Sequence, residues 1–466
     1  MHNQKSLTIV GTPVSAAHLS EQLDGALVKL RQEIDAMVDS LGEAGVTPPG
    51  FQAFTTGLRE ASAAAALEAW VAVVEAADPV TPMIEHDGQE LRFRGSATKQ
   101  WLSPFGLAEV SRRYYAGEAR RGCVVPLDTM LGMVGRYMTP EVEEMVAFAS
   151  SAMTPCEVEQ IMGKALPVAP SPTAIKRTIR DVGEFLERNK VSVEERIAAS
   201  SPLSAEGSNL VVSWDGVMVP LRGERETTWK EAGVGRVSIY SEPSVDDGKP
   251  SVIDSRYFAR MPEPGMPALL EQVVACVAGV GAQRRFDHVA VICDGKDSIW
   301  NSAERNREFA GAVFILDFYH ASQTLSAVAD AIFGKGTNEA RRWHERRCDL
   351  LQLKEDAIMK LLRTLRRYEK ELPLGSDERD VVRRAVKHFK KNRRRMRYAE
   401  FIAMGLPIGS GQIESAAKNI VQARLKRSGM RWSIDGGQHV LNIRTRVKDE
   451  RWDTAWETYM ASRTAA

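Results

Sequence analysis

Residues 209–317 constrain the fold more than any other part of the sequence, because strand-like runs and a helix alternate there. The runs are rich in apolar and β-branched residues and cover, in order, residues 209–214, 217–221, 236–240, 251–259, 288–293 and 312–316. An apolar helix over residues 269–277 separates the fourth run from the fifth. Consecutive strands followed by β-α-β units predict an α/β core, with a mixed sheet flanked by helices.

The rest of the chain predicts further modules, in agreement with a length of 466 residues and a prior of about three domains. We expect a helical region at residues 1–80, a small β-rich module at 81–136, helices at 137–200, and a catalytic domain at 205–466 with an all-helical insertion at about 322–404. An apolar stripe on the first helix indicates packing against a partner helix or a second subunit. Trp452 and Trp456 are expected to anchor a terminal helix.

The helices of residues 137–200 have two interpretations. The third helix follows a Pro-containing turn and carries Lys176, Arg177 and Arg180, which fits a DNA-binding helix-turn-helix. Helix pairs of this kind are also typical of all-α modules that bind no DNA. Both interpretations stay open.

The charge of the chain is divided unevenly along its length. The total is +1, from 62 Lys and Arg against 61 Asp and Glu, and taken alone it argues against a nucleic-acid partner. Residues 331–450, however, hold 29 basic and 15 acidic residues, which leaves 33 basic and 46 acidic residues elsewhere. The C-terminal third is therefore predicted to face a polyanion.

Cysteine spacing and apolar runs bear on the compartment. No two of the five cysteines lie closer than 17 positions, so we expect buried reduced thiols and not disulfides or a zinc knuckle. No apolar segment follows the charged N-terminus, and the apolar stretch 63–77 is interrupted by Glu68 and Glu75. We expect a cytoplasmic protein with no secretory signal and no membrane partner.

Three acidic residues are candidates for a metal site. Asp215 and Asp294 each follow an apolar run and precede a glycine, so their carboxylates are expected at the ends of strands. Glu414 lies in the first turn of a helix after the glycines at 409 and 411. Three converging carboxylates would bind Mg²⁺ or Mn²⁺. Singly, Asp-Gly is a common turn and a first-turn Glu complements the helix dipole.

Five segments carry a resemblance to a known family. They read WDGVMVP at 214–220, WKEAGVG at 229–235, ILDFYHA at 315–321, PIGSGQIES at 407–415 and RLKRSGMRWS at 424–433. In this order they resemble the DDE transposases of bacterial insertion sequences of the Kra type, in the Mutator-like branch of the retroviral-integrase superfamily. The resemblance covers about residues 210–456, with a weaker similarity between residues 105 and 132.

The resemblance implies an RNase H-like core interrupted by the helical insertion. It makes Asp215, Asp294 and Glu414 the first, second and third catalytic carboxylates, holding Mg²⁺ or Mn²⁺, with two ions expected. It also assigns Asp317 and His320 to a D-x-x-H motif, in which His320 either contacts DNA and orders the site or caps the next helix. Asp297 competes with Asp294 for the second position, because the loop after Asp294 departs from the family pattern.

The same resemblance gives the basic C-terminal residues a role. Five cations on or beyond the helix of Glu414 are expected to contact DNA phosphates; they are Lys418, Arg424, Lys426, Arg427 and Arg431. Trp432 either stacks on an unpaired base or belongs to the core. The basic run 393–397 is either a solvated helix face or, as the regional charge favours, a contact to the DNA backbone.

The leading functional hypothesis is a nucleoid-associated transposase, active as a homodimer or higher oligomer on DNA. It would bind the terminal inverted repeats of its element, cut DNA, and join the freed 3′-hydroxyl to target DNA. An alternative is an RNase H-like nuclease or resolvase without strand transfer. A third is a domesticated DNA-binding regulator, which typically lacks a catalytic acid, whereas all three are present here.

Overall fold

The computed structural model describes residues 7–8, 16–117, 122–223, 226–246, 248–373 and 375–464. The chain divides into two compact units. One contains residues 1–188 and 455–466, and the other contains residues 189–454. None of the described helices combines the length and apolar composition that a membrane crossing requires.

The first unit begins with two long helices, α1 (Ala16–Ala44) and α2 (Pro48–Ala76), which pack against each other. Both were predicted. The turn between α1 and α2 ends at Thr47, which caps α2 by accepting a hydrogen bond from the Gly50 amide. Pro48 occupies the first helical position. On α1, Leu27 and Val38 remain exposed, so the described residues cover the predicted stripe only in part.

A five-stranded antiparallel sheet follows. Its strands, in spatial as well as chain order, are β1 (Leu7–Thr8), β2 (Met83–His86), β3 (Gln89–Ser103), β4 (Gly106–Ala116) and β5 (Cys123–Val124). The strands β2 to β5 give the β structure that the sequence predicted for residues 81–136. The core under this sheet includes Trp101, Val110 and Leu127, which are fully buried.

Four helices complete the described part of this unit before residue 189: α3 (Pro126–Met130), α4 (Pro140–Ser150), α5 (Pro155–Ala165) and α6 (Pro172–Arg188). Helices α4 to α6 are those predicted for the possible helix-turn-helix, and α6 packs on both α4 and α5. Lys176, Arg177 and Arg180 are exposed on α6, although Arg177 and Arg180 pair with Asp181. A DNA-binding role for α6 stays a prediction.

The second unit contains α7 (Lys190–Ser200) and a mixed sheet. Its strands are β6 (Asn209–Arg222), β7 (Thr227–Tyr240), β8 (Val252–Arg260), β9 (His288–Cys293) and β10 (Val313–Leu316), in the order β8-β7-β6-β9-β10. The pairs β8-β7 and β7-β6 are antiparallel, whereas β6-β9 and β9-β10 are parallel. The mixed sheet predicted from the sequence is confirmed.

One strand prediction was wrong. Residues 209–214 and 217–221 were expected to be two strands around a turn, but β6 is continuous through Asp215 and Gly216, which pair with Val234 and Gly233 of β7. Asp-Gly often forms a turn, but β7 supplies a partner for every residue of β6, and this pairing keeps the chain extended. Asp215 therefore lies inside a strand.

Helices cover both faces of the sheet. Helix α8 (Pro267–Gln283) packs on β7 and β8, and its Leu269 and Val273 are buried. After α9 (Asp297–Glu304) and β10 come the insertion helices: α10 (Phe318–Phe333), α11 (Asn338–Leu353), α12 (Ala357–Glu371), α13 (Asp377–Asn392) and α14 (Tyr398–Ala403). No strand interrupts them among the described residues, as predicted, although α10 begins directly after β10 and not at about residue 322.

The insertion shares a core with the sheet. Trp343, Leu361 and Phe389 from three of its helices belong to the same buried cluster as Val212 and Val291 of the strands. Helices α12 and α13 are strongly amphipathic, with basic residues on their outer faces. The insertion is therefore packed into the unit that contains the sheet.

The last helical segments of the second unit are α15 (Gly411–Ala416), a π-helical stretch (Ala417–Gln422), α16 (Ala423–Leu425) and α17 (Ile434–Lys448). The stripe predicted on this helix is buried, as expected; it comprises Ile413, Ala416, Ala417, Ile420 and Val421. Helix α18 (Trp452–Thr464) begins in the second unit and ends in the first, and both its tryptophans are buried.

Buried ion pairs connect α7, β8 and the end of α17. Arg256 of β8 lies 2.5 Å from the Glu194 carboxylate and 3.0 Å from the Asp449 carboxylate. Arg446 contacts the same two acids at 2.8 and 3.0 Å. Each acid thus bridges two guanidinium groups, which offsets part of the cost of burying the charges.

All five cysteines are free, and their burial differs from the prediction. Cys293 and Cys348 are buried and Cys276 is half-buried, whereas Cys123 and Cys156 are exposed. Cys276 and Cys293 fit the expected inert thiols, because burial raises the pKa of Cys276 to about 12 and that of Cys293 further still. The expectation of burial was wrong for Cys123 and Cys156.

Candidate active site

Three aspartates lie at one level on adjacent strands. The register between β6 and β9 ends at Val212 and Val291, and Asp215 and Asp294 each come three residues later. The register between β9 and β10 ends at Cys293 and Leu316, directly before Asp294 and Asp317. Strands β9 and β10 end at this level, while β6 continues beyond it. This arrangement brings the aspartates together at the carboxyl ends of β9 and β10.

Asp215 and Asp294 interact electrostatically. Burial raises the pKa of Asp215, and the negative charge of Asp294 adds to the effect. The Gly216 amide donates to Asp215 Oδ1 at 2.7 Å, and the Lys296 amide donates to Asp294 Oδ1 at 3.0 Å. Asp294 lies at a strand end, as predicted, whereas Asp215 reaches the same place from within β6 because its neighbour β9 has ended.

Asp317 is buried and fully hydrogen-bonded. Its Oδ1 accepts from the amides of Tyr319 and Ser410, and its Oδ2 accepts from the amide of His320 and contacts His320 Nδ1 at 2.6 Å. Burial alone would raise the pKa of Asp317, but the hydrogen bonds from His320 and Ser410 outweigh it and lower the pKa. Asp317 therefore caps α10 and fixes the orientation of His320.

His320 faces the acidic residues. Its hydrogen bond to Asp317 raises its pKa above the ordinary 6.5, and the charges of Asp294 and Asp215 act in the same direction. Because Nδ1 is occupied by Asp317, Nε2 is the ring nitrogen available to other groups. The cap of α10 is the Asp317 side chain and not the imidazole, so the structure does not support His320 as a helix cap, and a contact of His320 to DNA stays a prediction.

The loop before α15 brings Glu414 to the same place. The Phe318 amide donates to the Ile408 carbonyl at 3.0 Å, and the Ser410 amide reaches Asp317, so this loop follows the end of β10. A Cβ on Gly409 would lie 2.7 Å from the Tyr319 ring, which explains the glycine. One carboxylate oxygen of Glu414, one of Asp317 and a ring nitrogen of His320 lie within 4.8 Å of one another.

Asp215 and Glu414 share one face of the sheet. Side chains alternate along a strand, so Asp215 points to the same face as Ser213 and its partner Arg236. On this face the Arg236 guanidinium donates to Gln412 of α15, and α15 packs on β6 and β7. Asp215 and Glu414 thus lie on one side of the sheet, but among the described residues the group whose ligand atoms lie within 4.8 Å of one another contains Glu414 with Asp317 and His320, and not Asp215 or Asp294.

The candidate metal ligands can be separated by their hydrogen bonds. Both carboxylate oxygens of Asp317 already accept hydrogen bonds. Asp317 therefore orients His320 and is a poor ligand for a cation. Asp215 and Asp294 each have one carboxylate oxygen that accepts a nearby amide; the second oxygen of Asp215 is left available, and the second oxygen of Asp294 lies 3.9 Å from Lys296 Nζ. Together with Glu414, these residues offer the oxygen donors that Mg²⁺ and Mn²⁺ prefer.

Asp297 does not compete for the second position in this structure. It begins α9, its side chain is 63% exposed, and it forms an ion pair with Lys391. The hydrogen bond from Lys391 lowers the pKa of Asp297. Asp294, not Asp297, is level with Asp215 and Asp317.

Lys296 and Glu231 adjoin the aspartates and were not predicted. Lys296 Nζ lies 2.6 Å from Glu231 Oε1 and 3.9 Å from Asp294 Oδ2. Burial lowers the pKa of Lys296, but Glu231, Asp294 and Asp215 outweigh it, so the pKa is raised. The only sequence signal for Glu231 was its place in the segment WKEAGVG, which gave the residue no role.

The predicted DNA-binding cations divide into two groups. Lys418, Lys426 and Arg431 are exposed and Arg427 is half-buried, so these four fit a surface that binds phosphates. Arg424 is 2% exposed and lies 5.1 Å from the centre of the Trp432 ring. Its predicted contact to DNA does not fit this burial, because the helical periodicity of the segment turns Arg424 toward the core.

Trp432 is held within the fold. Its ring nitrogen donates to the Leu425 carbonyl at 3.0 Å, and its backbone pairs with β6 through Pro220 and Arg222. The ring is half-buried. These contacts favour the core interpretation of Trp432 over stacking on a base.

A basic cavity of about 840 Å³ lies beside the edge strand β10. Val313 and Phe314 form part of its wall, and six cations line it: Lys390, Lys391, Arg393, Arg394, Arg395 and Arg397. Three of them pair with acids, namely Lys391 with Asp297, Arg395 with Glu304 and Arg397 with Glu400. The basic run is therefore partly neutralised and partly available to an anion.

Comparisons with known proteins add little to this picture. No family model matches the chain, and no curated protein matches it. Among solved structures, the chain is similar to one described as "Crystal structure of NurA with manganese", with 13% identity and a TM-score of 0.10. The match covers 61% of this chain and 66% of that one, just under two thirds of its length. A TM-score this low carries no argument about fold or function.

Proposed function

We propose that this chain is a DDE-type transposase with an RNase H-like core, which cuts DNA at the ends of an element and joins the freed 3′-hydroxyl to target DNA. The observation that carries the proposal is the level placement of Asp215 and Asp294 on adjacent strands, with Glu414 on the face to which Asp215 points. These residues match, one by one, the carboxylates that the sequence resemblance implies.

The sheet is compatible with the proposed core. Three antiparallel strands, β8, β7 and β6, are followed by two strands that run parallel to β6. The helical insertion enters after β10 and returns directly before α15. An insertion at this point interrupts the core between the second and third proposed carboxylates, in agreement with the family resemblance.

Asp215, Asp294 and Glu414 would hold Mg²⁺ or Mn²⁺, with two ions proposed. The mutual repulsion of Asp215 and Asp294 raises the cost of keeping both ionised, and a divalent cation would relieve it. When bound, such ions activate the attacking oxygen and stabilise the leaving oxygen in an in-line phosphoryl transfer. Asp317 would keep His320 directed at the site throughout.

Double-stranded DNA is the proposed partner, at the terminal repeats and at the target. The exposed cations Lys418, Lys426 and Arg431 follow Glu414 along the chain and would contact the phosphate backbone. Such contacts hold a duplex in place without reading its sequence. We also propose a homodimer or higher oligomer on DNA, because cutting and joining two ends requires two sites.

The test is cleavage and joining of a labelled duplex that carries the DNA flanking the coding region. With Mg²⁺, we expect the wild-type protein to give both cut and joined products. The variants D215N, D294N and E414Q should each lose at least about 10³-fold in cleavage rate. The matched control D297N, which changes an exposed aspartate three residues from Asp294, should retain activity within about threefold.

Other results would redirect the proposal. Cut products without joined products would indicate a nuclease or resolvase of the same fold. Tight binding to the duplex with no Mg²⁺-dependent cleavage would indicate a DNA-binding regulator. Full activity in D215N or E414Q would refute the assignment of the carboxylates.

A further inference from the structure

We infer that Lys296 is a substrate-contacting residue of the proposed reaction, binding a DNA phosphate next to the bond that is cut, and that Glu231 and Gly216 hold it in position. The inference rests on the proposed function. It concerns residues that neither the acidic motif nor the predicted basic surface includes. Lysine binds phosphate as a compact charge at the end of a flexible stem, and it suits a contact that forms with each new substrate.

The backbone of Lys296 is fixed beside the carboxylates. Its amide donates to Asp294 Oδ1 at 3.0 Å, and the residue directly precedes α9. The preceding Gly295 has φ +97°, and a Cβ there would lie 2.9 Å from Leu316 Cδ1. This tight turn places Lys296 two residues after Asp294 with little freedom to move away.

The side chain of Lys296 is held by a partner from another strand. Its ammonium lies 2.6 Å from Glu231 of β7 and 3.9 Å from Asp294. Both members of the Lys296–Glu231 pair are partly exposed, so the pair adds little to stability. A cation so close to Asp294 also opposes the binding of metal ions there. A cost to metal binding that brings little stability argues for a role of Lys296 when substrate is bound.

Gly216 leaves the space that Glu231 occupies. A Cβ on Gly216 would overlap with the Glu231 carboxylate, which therefore lies across β6 at Gly216, on the face of the sheet opposite to the Asp215 side chain. Met218 is the cross-strand partner of Glu231, so Gly216 and Glu231 point to the same face of the sheet. The glycine after Asp215 is therefore required by the space that Glu231 occupies, and not by a turn.

Lys296 borders open space as well as the carboxylates. It lines a cavity of about 480 Å³ together with Gly216 and Glu231, and Trp214 and Met266 form part of the same wall. None of the three proposed carboxylates lines this cavity, but the ammonium group also lies 3.9 Å from Asp294 Oδ2, so a DNA phosphate that approaches Asp294 would meet it. The Lys296 ammonium group could therefore reach a phosphate next to Asp294 without a large movement of its side chain.

The experiment compares K296Q, K296R and E231Q with the control K230Q in single-turnover cleavage of the flanking-DNA duplex at saturating Mg²⁺. Lys230 is exposed next to Glu231 and lines the same cavity, but no ion pair of it with Glu231 or Asp294 is seen among the described residues, so K230Q removes the same charge without the contact to Asp294. We expect K296Q to slow cleavage about 100-fold, with binding of uncut duplex in Ca²⁺ changed less than about threefold. K296R should recover most of the rate, E231Q should lose about tenfold, and K230Q should stay within about twofold.

A second measurement identifies the contact. A neutral methylphosphonate is placed at each phosphate beside the cut in turn. At one position the methylphosphonate should slow cleavage by the wild-type protein. At the same position it should leave the cleavage rate of K296Q unchanged, because the methylphosphonate and the substitution each remove the same interaction. Equal cleavage by K296Q and wild type, a lower Mg²⁺ requirement with unchanged maximal rate, or additivity at every position would overturn the inference. An inactive wild type would instead refute the proposed function.

Discussion

The Asp317–His320 pair links a buried carboxylate to a titrating imidazole, so its contribution to stability depends on pH. The pKa of His320 is raised, so its contribution is present below 6.5 and is lost as the pH rises through the raised value. The pKa of Asp317 is lowered, so its contribution is present above 3.8 and is lost as the pH falls through the lowered value. The pair stabilises the fold most between these two ordinary values.

This residue pair gives the first prediction. In metal-free protein, H320Q should lower the midpoint of urea unfolding most at about pH 5, and the difference should shrink at about pH 9. Urea unfolding followed by circular dichroism at both pH values measures the effect. A difference that is constant between the two values would contradict the ion pair.

The second prediction concerns Gly216. Alanine there should displace the Glu231 carboxylate, a movable end of a side chain, and so leave the fold nearly as stable while releasing Lys296. We expect G216A to slow cleavage about as much as E231Q does, with an unchanged unfolding midpoint. In the double variant G216A/E231Q the losses should not add, because both changes act on one contact. Additive losses would show that Gly216 acts by another route.

Among the secondary-structure elements, the short strands with a continuous apolar sequence were the most predictable. The runs 288–293 and 312–316 are short and apolar; the first is β9, and the second contains β10 (Val313–Leu316). The run through Asp215 was misjudged because the local Asp-Gly preference for turns lost to pairing with β7, and a single sequence does not reveal that partner. For the insertion, its all-helical character was predicted, whereas the bounds of its individual helices were not.

The candidate site was predictable in its residue types and less so in its geometry. Asp215, Asp294 and Glu414 could be selected from motifs, but the common level of the aspartates depends on the register of β6, β9 and β10, which the sequence does not state. Arg424 and Trp432 lie in a basic motif, yet the packing of their segment turns both toward the interior. No sequence pattern pointed to the role of Glu231, because this role depends on the space that Gly216 leaves on the neighbouring strand β6.

The third prediction tests the ion pairs that connect α7, β8 and α17. R256A would leave Glu194 and Asp449 with one fewer guanidinium and should lower the free energy of unfolding by about 3–5 kcal/mol. The control R307A removes an arginine that is 93% exposed and pairs only at the surface with Glu308, and it should change the value by less than about 1 kcal/mol. Denaturant unfolding measures both. A small effect of R256A would mean that the interior compensates for the lost charge.

At the scale of the whole molecule, the near-zero total charge conceals a basic region of residues 331–450. Binding to a polyanion responds to the local field, since charges separated by more than about 10 Å in 0.1 M salt are screened from one another. The near-zero net charge therefore bears on solubility and has little influence on the proposed contacts to DNA. Regional charge, unlike net charge, was the informative quantity in the composition.

The fourth prediction follows from this distribution. The affinity for duplex DNA should fall steeply with salt, and K418Q, K426Q and R431Q should each reduce the slope of log K against log salt by about 0.9. R424Q should leave the slope unchanged in folded protein, because Arg424 is buried. Fluorescence anisotropy at several salt concentrations measures the slopes. An unchanged slope in all three surface variants would place the DNA elsewhere.

Helix α15, held on β7 by Arg236 and Gln412, also determines when the site becomes complete. Asp215 and Glu414 are about 200 residues apart, so a chain emerging from the ribosome presents both aspartates long before it presents the glutamate. An unfinished chain that ends within the insertion contains the sequences of all five strands of the mixed sheet and lacks the third carboxylate. In the proposed enzyme, DNA cutting is therefore restricted to chains whose synthesis has passed α15, and a product of premature termination within the insertion would carry no nuclease activity into the cell.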